Sequence, residues 1–150
     1  CDALCPHAAA RVDPEKLERM TLNLLSNALK YTRPGGAIDM RLYQKDAWAC
    51  IEVENEGEDI SPSLSPHLFE RFCTGETDPQ RGTGLGLFIV RELARLHGGD
   101  AFCAQPKGHG ARFVIRIPAI DTPPAADVLP DDAAVDRVRM ELAGMVHQGT

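Results

Sequence analysis

The stretch from Leu17 to Thr32 constrains the fold most, because it predicts a helix with a single polar stripe. At about 100° per residue, the polar side chains share one narrow face, while apolar side chains fill the rest of the circumference. A helix with this pattern is expected to be mostly buried. The polar stripe consists of Lys16, Arg19, Asn23, Ser26, Asn27 and Lys30.

Two asparagines one turn apart are unusual inside a helix, since asparagine favours caps and turns. Asn23 and Asn27 therefore suggest amide oxygens that point at a ligand. An amide oxygen suits Mg²⁺, which prefers to share its coordination with substrate phosphates and water, and Lys30 can meet those phosphates as a point charge. The alternative is an ordinary solvated helix face, and this stretch by itself fits both interpretations.

The composition fits one soluble globular domain. The chain has 150 residues, 43% apolar and 25% charged, and no apolar run approaches the roughly 18 residues of a membrane span. Its five cysteines show no pairing pattern, so we expect reduced thiols in a cytoplasmic protein without direct membrane contact. The net charge is −6, of which residues 119–150 contribute −4, and no basic patch indicates nucleic-acid binding.

Up to residue 118, local patterns predict two helices and four strands. Asp13 is a favourable N-cap for the first helix, and Pro14 suits its first position. Ile38, Met40 and Leu42 alternate with polar residues, which predicts a half-buried strand that pairs with the next one in an antiparallel hairpin. The other predicted elements are strands at 49–54, 100–105 and 111–118, helical turns at 67–72 and a helix at 85–96.

The domain organisation follows from a change in composition after residue 118. We expect one domain at 1–118, with its core at 12–118, and a linker rich in Pro, Ala and Asp at 119–130. The helical spacing of apolar residues within 131–150 predicts an acidic amphipathic helix. We expect this helix to dock on its own domain rather than to bind a partner.

Two further features indicate a ligand site. Three glycines lie at the start of the helix predicted at 85–96, where they let backbone N–H groups approach a phosphate. Asn55 is a polar residue at the end of an apolar strand face, where it can discriminate between ligands. A tight loop on the sheet and an Asx turn are the alternatives for these two features. The glycine-rich run is Gly82, Thr83, Gly84, Leu85, Gly86 and Leu87.

In this order, the pieces resemble the ATP-binding catalytic domain of sensor histidine kinases, within the Bergerat-fold superfamily that also includes type II topoisomerases and Hsp90-like chaperones. The resemblance extends from about residue 12 to residue 118. Its motifs are Asn23–Thr32 for the N box, Asn55–Ile60 for the first glycine box, Phe69–Phe72 for the F box, Gly82–Leu87 for the second glycine box and Gly108–Gly110 for a short third one.

The resemblance implies an α+β fold: a two-layer sandwich in which helices cover one face of a mixed, mostly antiparallel sheet. It also implies ATP and Mg²⁺ as cofactors, with a mobile lid at 73–81. Asn27 is then the Mg²⁺ ligand, Asn55 reads the adenine amino group, and Arg71 or Arg81 supplies lid charge to the γ-phosphate. The other implied nucleotide contacts are Asn23, Lys30, Tyr31, Gly57, Ile60, Phe72, Gly82, Thr83, Gly84, Leu85, Gly86 and Leu87.

The sequence departs from the family pattern at two places. The usual aspartate that reads adenine is Asn55, and the usual Pro-Gly pair is Glu58-Asp59. An aspartate only accepts hydrogen bonds, whereas an asparagine also donates through its NH₂ and can face a guanine carbonyl. We therefore expect weaker or less base-selective nucleotide binding than the family norm.

The residue at position 23 distinguishes superfamily members that hydrolyse ATP from those that transfer its phosphoryl group, and here it is Asn23. The hydrolytic members of the superfamily are expected to carry a glutamate there as the general base, and asparagine cannot take a proton. The resemblance therefore implies an ATP-dependent protein histidine kinase of two-component phosphorelay signalling, in which positioning and charge neutralisation drive transfer.

The acceptor histidine is expected elsewhere. None of the five histidines lies in the family's His-Glu-x-x-x-x-Pro context, and His97 is expected to cap a helix as a cation. The implied partners are a histidine-bearing dimerisation domain of the same kinase and a response regulator receiver domain, and the resemblance allows the intact kinase to be membrane-bound. A degenerate nucleotide-binding or protein-interaction module and an anti-sigma-type serine kinase are the alternatives.

Overall fold

The computed structural model describes residues 8–73 and 84–120. Neither of the two helices in this part of the chain is long and apolar enough to cross a membrane. The helices are α1 (Pro14–Tyr31) and α2 (Gly86–Leu96), and a 3₁₀ turn covers Ser65–His67. The strands are β1 (Ile38–Lys45), β2 (Trp48–Glu56), β3 (Asp100–Ala104) and β4 (Gly110–Pro118). The predicted lid, apart from Cys73, and the C-terminal helix fall outside the described residues.

Helix α1 begins where the sequence predicts. The Asp13 carboxylate accepts hydrogen bonds from the backbone N–H groups of Glu15 and Lys16 at 3.0 and 3.4 Å. These bonds satisfy donors that a helix start otherwise leaves free, and Pro14 follows at a position that needs no N–H. The apolar face of the helix is buried, with Met20 and Leu24 completely shielded from solvent.

The strands form one sheet in the order β1-β2-β4-β3, and all described pairings are antiparallel. Helices α1 and α2 pack against each other and against one face of this sheet. The arrangement confirms the predicted two-layer α+β sandwich, although none of the described pairs has the parallel orientation of a mixed sheet. The core between the layers contains Met20, Leu24, Ala28, Ile51, Val53, Phe69, Val90, Ala94, Ala101, Ala111, Phe113, Ile115 and Ile117.

Strand β1 contradicts the prediction of a half-buried strand, whose apolar face would be covered, because Ile38 packs against the core but the next two apolar residues do not. Met40 and Leu42 lie opposite Val53 and Ile51, on the helix side of the sheet, yet they are 48% and 53% exposed. The physical reason is that β1 is an edge strand and the described helices do not extend over it. Alternation reveals the two faces of a strand, but the placement of the helices decides which face is covered.

The opposite face of the sheet buries a carboxylate instead. Glu52 is 1% exposed and accepts hydrogen bonds from Arg41, Tyr43 and Arg112 at 3.0, 3.1 and 2.6 Å. Burial alone would raise the pKa of Glu52, but the hydrogen bonds and the two guanidinium charges outweigh it and hold that pKa below its usual value. The same burial and the neighbouring carboxylate raise the pKa of Tyr43 to about 12.

His97 is the C-cap residue of α2, which confirms the predicted cap, and its ring also joins the two helices. Its Nε2 accepts a hydrogen bond from the backbone N–H of Asp13 at 3.1 Å, and its Nδ1 lies 2.7 Å from the carbonyl oxygen of Leu93. Nε2 therefore acts as an acceptor towards one helix, while Nδ1 faces a backbone oxygen of the other. The ring ties the start of α1 to the end of α2.

The helical turns predicted at 67–72 are also wrong in position. The 3₁₀ turn ends at His67, and Phe72 has a positive φ of 59°, which is incompatible with a continuing helix. The motif predicted as the F box is therefore mostly a turn, from which Phe69 alone enters the core.

Replacing Glu52 by glutamine should lower the free energy of unfolding near pH 7 by about 2 kcal/mol. This loss is below the roughly 3–5 kcal/mol of a fully desolvated pair, because both arginines keep some solvent contact. Since the folded-state pKa of Glu52 is lowered, its contribution to stability is present above the usual carboxyl pKa and is lost as the pH falls through the folded value. Urea unfolding should therefore show a larger difference between wild type and variant near pH 7 than near pH 3.

The matched control is Glu92→Gln, since Glu92 is half-exposed and pairs with Arg95 within one helix. Its effect should stay within about 0.5 kcal/mol. An equal loss for Glu52→Gln at both pH values would contradict the charge pairing around Glu52.

Candidate functional site

The polar stripe of α1 meets the start of α2. A Cβ atom added at Gly86 would lie 3.8 Å from Oδ1 of Asn23, so the amide sits directly beside the first residue of α2. The first N–H groups of a helix have no partners within it and carry a partial positive charge. Asn27 is half-buried one turn further along α1. The structure thus places the Asn23 amide beside a helix start that favours an anion, with a second amide one turn away along α1.

The end of α1 lies against the end of β2. Thr32 and Gly57 form an isolated antiparallel bridge. A Cβ at Gly57 would come within 2.3 Å of the carbonyl oxygen of Tyr31, which only glycine avoids. The predicted first glycine box therefore holds the loop after β2 against the C-terminal turn of α1.

Asn55 is the polar residue enclosed by these elements. It is 2% exposed and shares the helix side of β2 with Ile51 and Val53. Its Oδ1 is buried and has no hydrogen-bond partner within the described ranges. A buried acceptor without a donor costs about 1–3 kcal/mol, so this atom indicates a ligand that brings a donor.

Asp59 fixes the loop after β2 in a way that the sequence does not reveal. Its carboxylate accepts a hydrogen bond from the backbone N–H of Gly110 at 2.8 Å and lies 2.9 Å from Nδ1 of His109. The His109 side chain and then the Gly110 N–H lower the pKa of Asp59. The motif Gly108–Gly110, predicted as a third glycine box, is thus tied to the first one.

Phe72 and Gly84, which lie close before and directly after residues 74–83, are hydrogen-bonded to each other. The N–H of Phe72 donates to the carbonyl oxygen of Gly84 at 3.1 Å, and a Cβ at Gly84 would come within 2.9 Å of the Phe72 backbone. The Arg71 guanidinium lies 4.7 Å from the centre of the Phe88 ring in α2. Arg71 is therefore held beside the first turns of α2.

The remaining predicted site residues are distributed as follows. The Lys30 ammonium lies 5.5 Å from the centre of the Tyr31 ring at the end of α1. Leu85 is the residue before α2 and has no side-chain capping bond, while Ile60 and Leu87 pack against the core. Arg81, Gly82 and Thr83 lie outside the described residues.

Comparison with known proteins gives a consistent picture. Residues 12–121 match the family model described as histidine kinase-, DNA gyrase B-, and HSP90-like ATPase. The sensor histidine kinase TmoS of Ectopseudomonas mendocina is 44% identical over 119 residues, which are 77% of this chain and 12% of TmoS. The chain thus spans about an eighth of the length of this relative.

Solved structures show the same fold. The mycobacterial sensor histidine kinase MprB superimposes with a TM-score of 0.66 at 34% identity, over 73% of this chain and 76% of that one. Full-length ShkA in complex with AMPPNP gives a TM-score of 0.62 at 28% identity, over 72% of this chain and 22% of that one. Both similarities cover the two-layer sandwich described above.

Replacing Gly57 by alanine should lower the free energy of unfolding by about 1–3 kcal/mol, because the new methyl group collides with the Tyr31 backbone. Gly108→Ala is the matched control, since no atom lies within 4 Å of its added Cβ, and its effect should stay within about 0.5 kcal/mol. Urea denaturation measures both. Equal stability of the Gly57→Ala variant and wild type would mean that the loop after β2 does not press on α1.

Proposed function

The chain belongs to the histidine kinase-, DNA gyrase B- and HSP90-like ATPase family, and from this premise we propose that it binds ATP with Mg²⁺ and donates the γ-phosphoryl group to a histidine on a separate dimerisation domain. The observation that carries the proposal is the contact between the Asn23 amide and the start of α2. It combines a helix start, which favours phosphate, with side-chain oxygens on the facing helix.

In this proposal, different residues of the site bind the base and the phosphates. Asn55 presents a buried oxygen that has no partner in the part of the chain described, which fits the amino group of adenine. The start of α2 at Gly86 faces the phosphates, and Lys30 adds a positive charge at the C-terminal end of α1. AMPPNP, an ATP analogue, is the ligand of the related ShkA structure, which supports an adenine nucleotide here.

Mg²⁺ is assigned to Asn27. The described ranges contain no group of three or more His, Cys, Asp or Glu side chains able to hold a metal ion. We therefore assign the ion one protein ligand, the side-chain oxygen of Asn27, with phosphate and water oxygens as the others. When bound, Mg²⁺ neutralises charge on the transferring phosphoryl group.

The chain's own contribution to catalysis is to orient the phosphates and not to activate water. Asn23 lies beside the start of α2 and has no basic atom that can remove a proton from water. We assign to Arg71, which is held against Phe88, the role of adding charge near the γ-phosphate, and Arg81 is the alternative source of that charge. The phosphoryl group is thereby kept for a protein nucleophile.

The proposed context is a two-component phosphorelay in the cytoplasm. The acceptor is the histidine of a dimerisation domain of the same kinase, and the phosphoryl group then passes to a response regulator receiver domain. The similarity to the sensor histidine kinase TmoS supports these partners.

Calorimetric titration with ATP tests the metal assignment. Wild-type chain should bind ATP at least about tenfold more tightly with Mg²⁺ than with EDTA. The Asn27→Ala variant should lose most of this difference, because it lacks the assigned ligand. Ser26→Ala, the neighbouring residue in α1, is the control and should keep it. If the Asn27→Ala variant keeps the full difference in ATP affinity between Mg²⁺ and EDTA, the assignment of Asn27 as the Mg²⁺ ligand is wrong.

Phosphotransfer is tested by mixing the chain with radiolabelled ATP and a histidine-bearing dimerisation domain from a related sensor kinase. The expected product is an acid-labile, alkali-stable label on that domain and none on this chain. Acid-stable label on serine would support a serine kinase instead. ATP binding without transfer would support a non-catalytic binding module.

A further inference from the structure

Asn55 offers both a hydrogen-bond acceptor and a donor at a site where a carboxylate offers acceptors alone. Building on the proposed function, we propose that this site binds 6-oxo purine nucleotides as well as ATP, by rotation of the Asn55 side-chain amide. The substrate class is then purine nucleoside triphosphates with either an amino or a carbonyl group at C6. Inosine triphosphate is the simplest member of the second kind.

The chemistry of the two bases is complementary to the two orientations of one amide. Adenine donates from its amino group at C6 and accepts at N1, whereas hypoxanthine accepts at its C6 carbonyl and donates at N1. An asparagine amide that presents Oδ1 to C6 and Nδ2 to N1 matches adenine. Turned by about 180°, the same amide matches hypoxanthine.

No hydrogen bond to Oδ1 within the described residues fixes the orientation of the Asn55 amide. Its Oδ1 forms no hydrogen bond in the described part of the chain, so rotation breaks no bond to that atom. Its Nδ2 lies 3.4 Å from the point that a Cβ at Gly57 would occupy, a point that is also 2.3 Å from the carbonyl oxygen of Tyr31, and glycine adds no atom of its own there. A side chain at position 57 would restrict the amide, whereas glycine does not.

The backbone of Asn55 is held firmly, so the amide is the adjustable part. Asn55 pairs with Ile38 on one side and Ala111 on the other. A Cβ at Gly110 would lie 1.9 Å from the Asn55 carbonyl oxygen, which shows how closely the neighbouring turn packs on this backbone. Rotation about the last side-chain bond is therefore the available response to a different base.

The experiment compares ATP with inosine triphosphate, both with Mg²⁺, by calorimetry on the full chain. For wild type, the two dissociation constants should agree within about tenfold. For Asn55→Asp, which keeps the shape but loses the donor, the preference for ATP should rise by a further factor of about 10–100, because a carboxylate facing the C6 carbonyl leaves two acceptors without a proton. Asn55→Ala should weaken binding of both nucleotides by similar factors.

The outcomes separate the inference from the proposed function. Wild type that binds ATP but discriminates against inosine triphosphate by more than about 100-fold overturns the inference and leaves ATP binding intact. Equal selectivity in wild type and a folded Asn55→Asp variant also overturns it. Failure of wild type to bind either nucleotide overturns the proposed function and the inference together. Should Asn55→Asp not fold, the Asn55→Ala comparison decides: loss of affinity for ATP alone contradicts dual recognition.

Discussion

The packing of α1 on the sheet is the interaction on which the site depends. Met20, Leu24 and Ala28 are completely buried against the strands, and this fixes the rotation of the helix about its axis. Once that rotation is fixed, Asn23 has to lie on the side that faces α2, where its amide meets Gly86. The core and the candidate site are thus two faces of one helix, and the buried apolar residues hold the Asn23 amide in position.

Close backbone approach supplies the second constraint. Gly57 lies against the Tyr31 carbonyl and Gly110 against the Asn55 carbonyl, at distances that no side chain tolerates. Because these contacts join the end of α1, the end of β2 and the turn before β4, they enclose Asn55 from several sides. The buried, unpaired Oδ1 is a consequence of this enclosure, since water no longer reaches the atom.

The sequence predicts those parts of the fold that depend on local periodicity. The cap at Asp13 and the hairpin of β1 and β2 follow from spacing and residue type, and the structure confirms them. The exposure of Met40, the burial of Glu52 and the contact of His97 with Asp13 depend on residues far apart in the chain, which no local pattern contains. For the candidate site, the sequence motifs predict which residues take part. They do not predict which of these residues touch each other, because the contacts join distant parts of the chain.

The two departures from the family pattern have different physical consequences. A charged residue in place of glycine can disable a loop, but Asp59 bonds to the N–H of Gly110 and pairs with His109, so its charge strengthens the connection between two glycine motifs. Asn55 gains no comparable partner for its Oδ1 in the described part of the chain. In a site that binds no ligand, an apolar residue of similar size would avoid the cost of this desolvated acceptor. A polar group at the end of β2 without a partner in the described ranges therefore favours our proposal of altered base recognition over a site that binds no nucleotide.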